Sequence, residues 1–253
     1  MTGVDLIRVE EAGLNAMQTQ RQLFYDGWLL RVSPGKARRA RSVNAHFGST
    51  LPTTDKITYC EALYAARGLP LLFRMTPFVQ PRDLESVLLD RGYVAFDTTL
   101  VQLMRLSEPP EFPLEADVDL EAPTAAEFVE AVGALRDSPA EQRAAHLERL
   151  AQTPLTTHAV LARVGGVPVA CGQVALENGL AGIYDMVTAI GHQGRGLATA
   201  IVNEMLTWAW ENGAAHAYLQ VDAGNAPALA VYRKFGFATA YTYHYCARPD
   251  ECR

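Results

Sequence analysis

The sequence predicts an α/β protein built from two fused units. Three observations point there. Strand-like and helix-like segments interleave along the whole chain. One stretch interrupts them, SEPPEFPLEADVDLEAP from Ser107 to Pro123, with four prolines and six acidic residues, a density that neither a helix nor a central strand tolerates. Each half also closes on the same order of strand, loop, helix, Gly-aromatic pair and strand. The pair is Gly92-Tyr93 in the first half and Gly236-Phe237 in the second. Such self-similarity suggests two copies of one fold, although Gly at a helix end before an aromatic is also common by chance. The expected units are 1–112 and 113–253.

The elements follow in chain order. DGWLLRVSPGKARRARSVNAHF reads as a strand, a Pro-Gly turn with a basic loop, and a second strand. DKITYCEALYAARG is an amphipathic helix closed by Gly68, LPLLFRMT a short buried strand, QPRDLESVLLDRGY a helix and AFDTTLVQLMRL a strand. Beyond the seam, TAAEFVEAVGALR and PAEQRAAHLERLAQ are helical. Three strands follow: HAVLARVGG, VPVACGQVALENG and LAGIYDMVTAI. The turn GHQGRGLA then leads into a helix to about Asn212. HAYLQVD, APALAVYRKFG and ATAYTYHYCARP close the chain as strand, helix and strand.

Bulk properties narrow the function classes. At 253 residues, 49% apolar and 20% charged, the chain has ample core material. Residues 1–115 hold 13 basic against 13 acidic residues and residues 116–253 hold 9 against 15, so the net charge of −6 sits in the C-terminal half. That surface disfavours a nucleic-acid backbone and mildly attracts cationic small molecules. No apolar run reaches the roughly 18–20 residues of a membrane span, and the acidic N-terminus does not read as a signal peptide. A soluble, cytoplasmic protein without nucleic-acid or membrane partners is expected. Cys60, Cys171, Cys246 and Cys252 are scattered, without zinc or redox spacing. His158, His216 and His244 lack metal-ligand spacing, so no metal is expected.

The chemistry concentrates at Gly191 to Ala198. Glycine or alanine at a helix start lets a phosphate approach backbone N–H groups that have no partner in the helix. The Gly-Lys-Ser/Thr of a Walker A loop is absent. A dinucleotide fingerprint has two of its three glycines in Gly194 and Gly196, with Asp222 ending the next strand as a ribose ligand. Its third position is Thr199, and the connection from the preceding strand is too long. A plain structural turn is the third possibility.

Gln193-Gly194-Arg195-Gly196-Leu197-Ala198 fits the Q/R-x-x-G-x-G/A pattern of the GNAT superfamily of acyl-CoA-dependent N-acetyltransferases. NAPALAVYRKFGF resembles that family's second signature, with Asn225, Tyr232 and Gly236-Phe237 in order. The detailed resemblance covers about residues 117–247. It implies a mixed, mostly antiparallel sheet flanked by helices, present here as two fused GNAT-like units. It also implies that coenzyme A binds through its pyrophosphate on the amides of Gly194 to Thr199, with Arg195 adding charge. The pantetheine arm would lie along the backbone of Met186, Val187 and Thr188. One departure is Ile190, where the family often carries proline a few residues before the glycines.

By the same resemblance Tyr232 is the general acid that protonates the leaving thiolate, with packing under the coenzyme as its alternative role. An oxyanion donor is expected from the amide of Val187 or Thr188. Asp185, on the strand entering the cleft, is the candidate base, with a structural or anchoring role as its alternative and Glu177 as second choice. Tyr184 should face the other way, because strand side chains alternate. His192 reads as a solvent-facing loop residue. TAYTYHYC suits an acceptor wall or plain sheet equally, and KARRAR reads as a solvated loop. Residues 1–106 contain no counterpart of Gln193 to Ala198, so the first half reads as a degenerate, substrate-shaping copy. The expected function is acetyl transfer from acetyl-CoA, as cosubstrate, to a primary amine in a ternary complex. A cationic small molecule is slightly favoured as acceptor. The alternative is a catalytically silent acyl-CoA sensor.

Overall fold

A computed structural model describes residues 4–19, 21–33, 37–113 and 118–252. The Pro34-Gly35 turn, Lys36 of the basic loop and part of the proline seam lie outside the described residues. The helices are α1 (Leu6–Asn15), α2 (Thr53–Ala65), α3 (Leu84–Asp90), α4 (Ala125–Leu135), α5 (Ala140–Gln152), α6 (Leu197–Glu211) and α7 (Ala226–Lys234). The strands are β1 (Gln22–Tyr25), β2 (Trp28–Arg31), β3 (Ser42–Ala45), β4 (Leu72–Met75), β5 (Val94–Arg105) and β6 (Asp119–Glu121), then β7 (Thr156–Val164), β8 (Val167–Glu177), β9 (Leu180–Thr188), β10 (His216–Asp222) and β11 (Ala238–Ala247). Every element expected from the sequence is present. Three short ones, α1, β1 and β6, were not expected.

The chain forms two compact units, and they do not follow a single cut at residue 112. One comprises Met1–Ala16 with Val101–Ala240, the other Met17–Leu100 with Tyr241–Arg253. Strand pairing is the reason. The last strand of the sequence, β11, pairs antiparallel with β4 (His244↔Met75 to Cys246↔Phe73), whereas the end of β5 lies beside β10. Helix α1 packs on β9, and Gly13 brings its backbone against Gln220 and Tyr218.

In the N-terminal unit the strand order is β1-β2-β3-β4-β11, and in the C-terminal unit it is β5-β10-β9-β8-β7-β6. The pairs β3–β4 and β9–β10 are parallel, while β1–β2, β2–β3, β4–β11, β6–β7, β7–β8 and β8–β9 are antiparallel. The fold is thus the mixed, mostly antiparallel α/β sheet expected. The order antiparallel strands, helix, parallel strand, helix recurs as β2-β3-α2-β4-α3 and β8-β9-α6-β10-α7. Each run is followed by a left-handed glycine, Gly92 (φ 84°) or Gly236 (φ 87°), and then a buried aromatic, Tyr93 or Phe237.

Local chemistry accounts for the helix boundaries near the site. Thr124 and Glu127 form a reciprocal capping box at α4. The α4 face that Phe128, Val129 and Val132 present is buried on β7 and β8 against Leu161 and Cys171. Leu197, Ile201 and Met205 form the expected buried stripe of α6. Phe128 is fully buried, so Phe128→Ala should lower stability by about 3–5 kcal/mol. Denaturant unfolding measures this, and a loss below about 1 kcal/mol would contradict the packing described. All four cysteines are free thiols, three of them buried and Cys252 half-buried. Among the described residues no helix is long and apolar enough to cross a membrane.

Candidate active site

The site is built where two parallel strands separate. The β9–β10 register runs from His216↔Leu180 to Leu219↔Ile183 and stops there, although β9 continues to Thr188 and β10 to Asp222. Beyond Ile183 the edge of β9 that faced β10 is released from the ladder. A bulge adds to the separation. Gln173 pairs with Tyr184 and Cys171 with Val187, so Gly172 alone opposes both Asp185 and Met186. Asp185 takes the left-handed conformation, φ 54°.

Gly172 makes room for this bulge. A β-carbon there would collide with Met186 Sδ, which packs toward Ile201 and Met205 of α6. The half-buried Met186 side chain therefore faces α6. Val187 packs toward the Phe128 cluster, and Thr188 sits opposite Ala170.

A short 3-10 helix, Ile190–His192, connects β9 to the glycine turn, and Ile190 is exposed at its start. Gly194 (φ 78°) and Gly196 (φ 77°) are both left-handed, which is why glycine stands there. A β-carbon at either would meet nothing within 4 Å, so the space in front is open. Gly196 is the N-cap of α6. Its carbonyl already accepts from Ala200 N at 2.9 Å, and it has no side chain to satisfy the first-turn amides of Leu197, Ala198 and Thr199. The Leu197 and Thr199 side chains are buried. Gln193 is exposed, and Arg195 Nη1 lies 3.3 Å from His192 Nδ1. An uncapped helix start carrying partial positive charge behind open space suits an anion.

Two expected ligands prove to have local duties. Asn225 caps α7, accepting from Ala228 N at 3.1 Å. Asp222 accepts from Gly224 N at 2.8 Å and holds its own turn. Tyr232, on α7, is buried with its ring edge-on to Phe237 at 5.9 Å, and burial pushes its phenol up to about 12.

Asp185 sits in a cluster that sequence reasoning missed. Its Oδ1 accepts from Arg136 Nη1 at 2.9 Å, and its Oδ2 accepts from Gln173 Nε2 at 3.0 Å and from Arg149 Nη2 at 3.5 Å. His146 Nε2 lies 3.4 Å from Oδ2, an ion-pair distance without hydrogen-bond geometry. Burial alone would raise this carboxyl. The His146 ring and the Arg136 and Arg149 charges outweigh it and hold the carboxyl well below the usual carboxylate range. Such a group is a poor proton acceptor at neutral pH.

The expected alternation also fails at Asp185. Tyr184 sits directly opposite Gln173, and Asp185 bonds the Gln173 side chain, so the bulge puts both on one face of the sheet. Tyr184 and Tyr218 share a 2.7 Å hydrogen bond on that face. Glu177 accepts from Asn15 Nδ2 at 2.8 Å and stands four residues, about 13 Å, along β8 from Gln173.

The remaining candidates resolve as follows. Tyr241, Tyr243 and Tyr245 of TAYTYHYC are buried, with Arg74 stacked on Tyr243. Arg38 pairs with Asp97 at 2.6 Å, and Arg38 to Arg41 are half-buried, so that part of KARRAR is not a solvated loop. His158 stacks on Trp208. His244 Nε2 lies 2.9 Å from Glu85 Oε1, and these two share with Cys246 a grouping of donor atoms within 4.8 Å that sequence spacing did not reveal. Burial pushes the Cys246 thiol up to about 12, so it stays neutral beside that pair.

In the loop before α2 two backbone amides are already taken. Asp26 accepts from Thr50 N at 3.0 Å, Leu51 N at 2.9 Å and Thr50 Oγ1 at 2.8 Å, with Lys56 Nζ 3.4 Å away. The Leu51 and Thr50 amides hold its carboxyl well below the ordinary range.

With this geometry in place, known proteins resemble the chain in the same region. Residues 124–237 match the acetyltransferase (GNAT) family. An uncharacterized N-acetyltransferase of Bacillus subtilis (strain 168), YobR, is 27% identical over 250 residues, 95% of this chain and 98% of its own length. Streptothricin acetyltransferase of Streptomyces lavendulae is 41% identical over 56 residues, 22% of this chain and 30% of its own. A GCN5-related N-acetyltransferase structure from Kribbella flavida has a TM-score of 0.70 at 21% identity, covering 96% of this chain and 95% of that one. The fold is GNAT-like and the enzyme an acyltransferase.

Proposed function

We propose that this GNAT protein transfers an acetyl group from acetyl-CoA to a primary amine of a small-molecule acceptor, by direct attack in a ternary complex. One observation carries the reading: the uncapped, glycine-opened start of α6 lies just beyond the point where β9 and β10 part. The pyrophosphate takes the amides of Gly194 to Thr199, and the acyl arm runs along Met186, Val187 and Thr188. The amine nitrogen forms the C–N bond, the thioester C–S bond breaks, and the thiolate takes the Tyr232 proton. The amine's own proton passes to water. Asp185 is the fixed anion of the bulge rather than the base, because its proton affinity is too low. An acetyltransferase named for streptothricin among the relatives fits an amine acceptor that is cationic in solution.

The two sequence halves, 1–112 and 113–253, are read as copies that have exchanged the ends of their strands. The first is a degenerate, substrate-shaping copy, since Asp26 occupies the amides that would otherwise receive a phosphate. Titration calorimetry of the intact chain tests both points. One acetyl-CoA per chain and no NAD binding is expected. Two acetyl-CoA sites would contradict the degenerate copy, and absence of binding would remove the transfer reading.

A further inference from the structure

We propose that Glu85, His244 and Cys246 of the N-terminal unit form a binding site for one zinc ion. The inference is independent of the acetyl-transfer reading. Its basis is the convergence of three donor atoms of different kinds. An imidazole nitrogen, a thiol sulfur and a carboxylate oxygen all lie within 4.8 Å of one another. Histidine spacing showed no sign of a metal, because Glu85 meets His244 across 159 residues.

Two elements of that unit bring the donors together. His244 and Cys246 stand two residues apart on β11, so both side chains leave the same face of the strand. Pairing of His244 with Met75 and of Cys246 with Phe73 on β4 fixes that stretch of backbone. Helix α3 covers the same face, since Leu84 and Leu88 share a core cluster with Cys246. Glu85, in the first turn of α3, brings its Oε1 to 2.9 Å from His244 Nε2. The Cys246 sulfur closes the site from the buried side. The Glu85 and His244 side chains stay 43% and 27% exposed and leave a way in for an ion.

Donor chemistry selects the ion. Thiolate and imidazole together favour zinc, whereas magnesium and calcium take oxygen ligands, and this trio supplies a single carboxylate. In a tetrahedral zinc site with bonds of about 2.0–2.3 Å, neighbouring donor atoms stand about 3.3–3.6 Å apart. The His244–Glu85 pair has to spread by only a few tenths of an ångström. The sulfur has to close in by at most about 1.2 Å, within reach of side-chain rotation. As the S–Zn bond forms, Cys246 gives its S–H proton to solvent. His244 coordinates through the Nε2 lone pair, with its ring proton on Nδ1, Glu85 coordinates through Oε1, and water takes the fourth position. The thiol that burial keeps protonated in the free chain is deprotonated by the ion itself. Zinc then clamps the last strand of the sequence to α3.

Cobalt(II), a spectroscopic stand-in for zinc, tests the site in the full chain. One cobalt ion per chain should give a thiolate-to-metal charge-transfer band, and an equivalent of zinc should bleach it. Zinc should also raise Tm by roughly 5–10 °C when present at about 100 times its Kd. Cys246→Ser should abolish the band. Because that residue is buried, Glu85→Gln supplies a second variant nearer the surface. It should keep the metal-free Tm of the parent and weaken zinc binding by at least about 10-fold. Unweakened zinc binding by Glu85→Gln, a band that survives in Cys246→Ser, or one lost only in Cys252→Ser would overturn the site. The last result would place the ion at the tail thiol, whose sulfur donates to Arg248 O at 3.3 Å. Folded protein that gives neither band nor stabilisation would overturn it as well.

Discussion

A Gly196→Glu chain should fold normally and lose acetyl-CoA affinity by at least about 100-fold. Two effects add. Gly196 sits at φ 77°, where a residue with a β-carbon costs about 1–2 kcal/mol. The new carboxylate would also stand at the positive end of α6, in the space proposed for the pyrophosphate. A β-carbon there meets nothing within 4 Å, so the loss cannot be put down to a clash. Gly196→Ala separates the two effects, because it keeps the strain and omits the charge. Calorimetric titration, with a thermal melt as the control for folding, decides the matter. Binding by the Glu variant within threefold of the parent would reduce the turn to helix punctuation.

Tyr232→Phe should lower kcat by about 10²–10⁴ and leave acetyl-CoA affinity within a few-fold. The phenyl ring preserves the packing of a buried side chain and removes only the proton donor. With the phenol pushed up to about 12 by burial, Tyr232 stays protonated across the working range. The rate should therefore show no falling limb near pH 10 from this group. The sign follows from the direction of the shift: a raised phenol loses its acid form only as pH climbs toward the raised value. An unchanged rate would leave Tyr232 as packing under the coenzyme. A parent chain that binds acetyl-CoA and never turns over would favour the silent sensor.

Much of this molecule could be read before folding, for reasons particular residues make plain. The α6 stripe of Leu197, Ile201 and Met205 repeats at the helical period, and Gly194 and Gly196 mark a turn whose φ values only glycine takes easily. What went unread was short or distant. Helix α1 buries Val9, Ala12 and Leu14, yet it owes its place to β9, far along the chain. Strand β6 has three residues and too little pattern to detect. Arg136 and Arg149 reach Asp185 from 49 and 36 residues away, and no spacing rule connects them.

The sequence by itself determined the main helices and strands and the glycine turn at Gly194 and Gly196. These depend on local backbone freedom and on hydrogen-bonding groups within a few residues of one another. Tertiary structure alone decided the pairing of β11 with β4, the bonds of Asp26 to Thr50 and Leu51, and the proton affinity of Asp185. A carboxylate with no visible partner in the sequence looks like a base. Folded among two guanidinium groups and an imidazole it is a fixed anion, because charge acts through space and not along the chain.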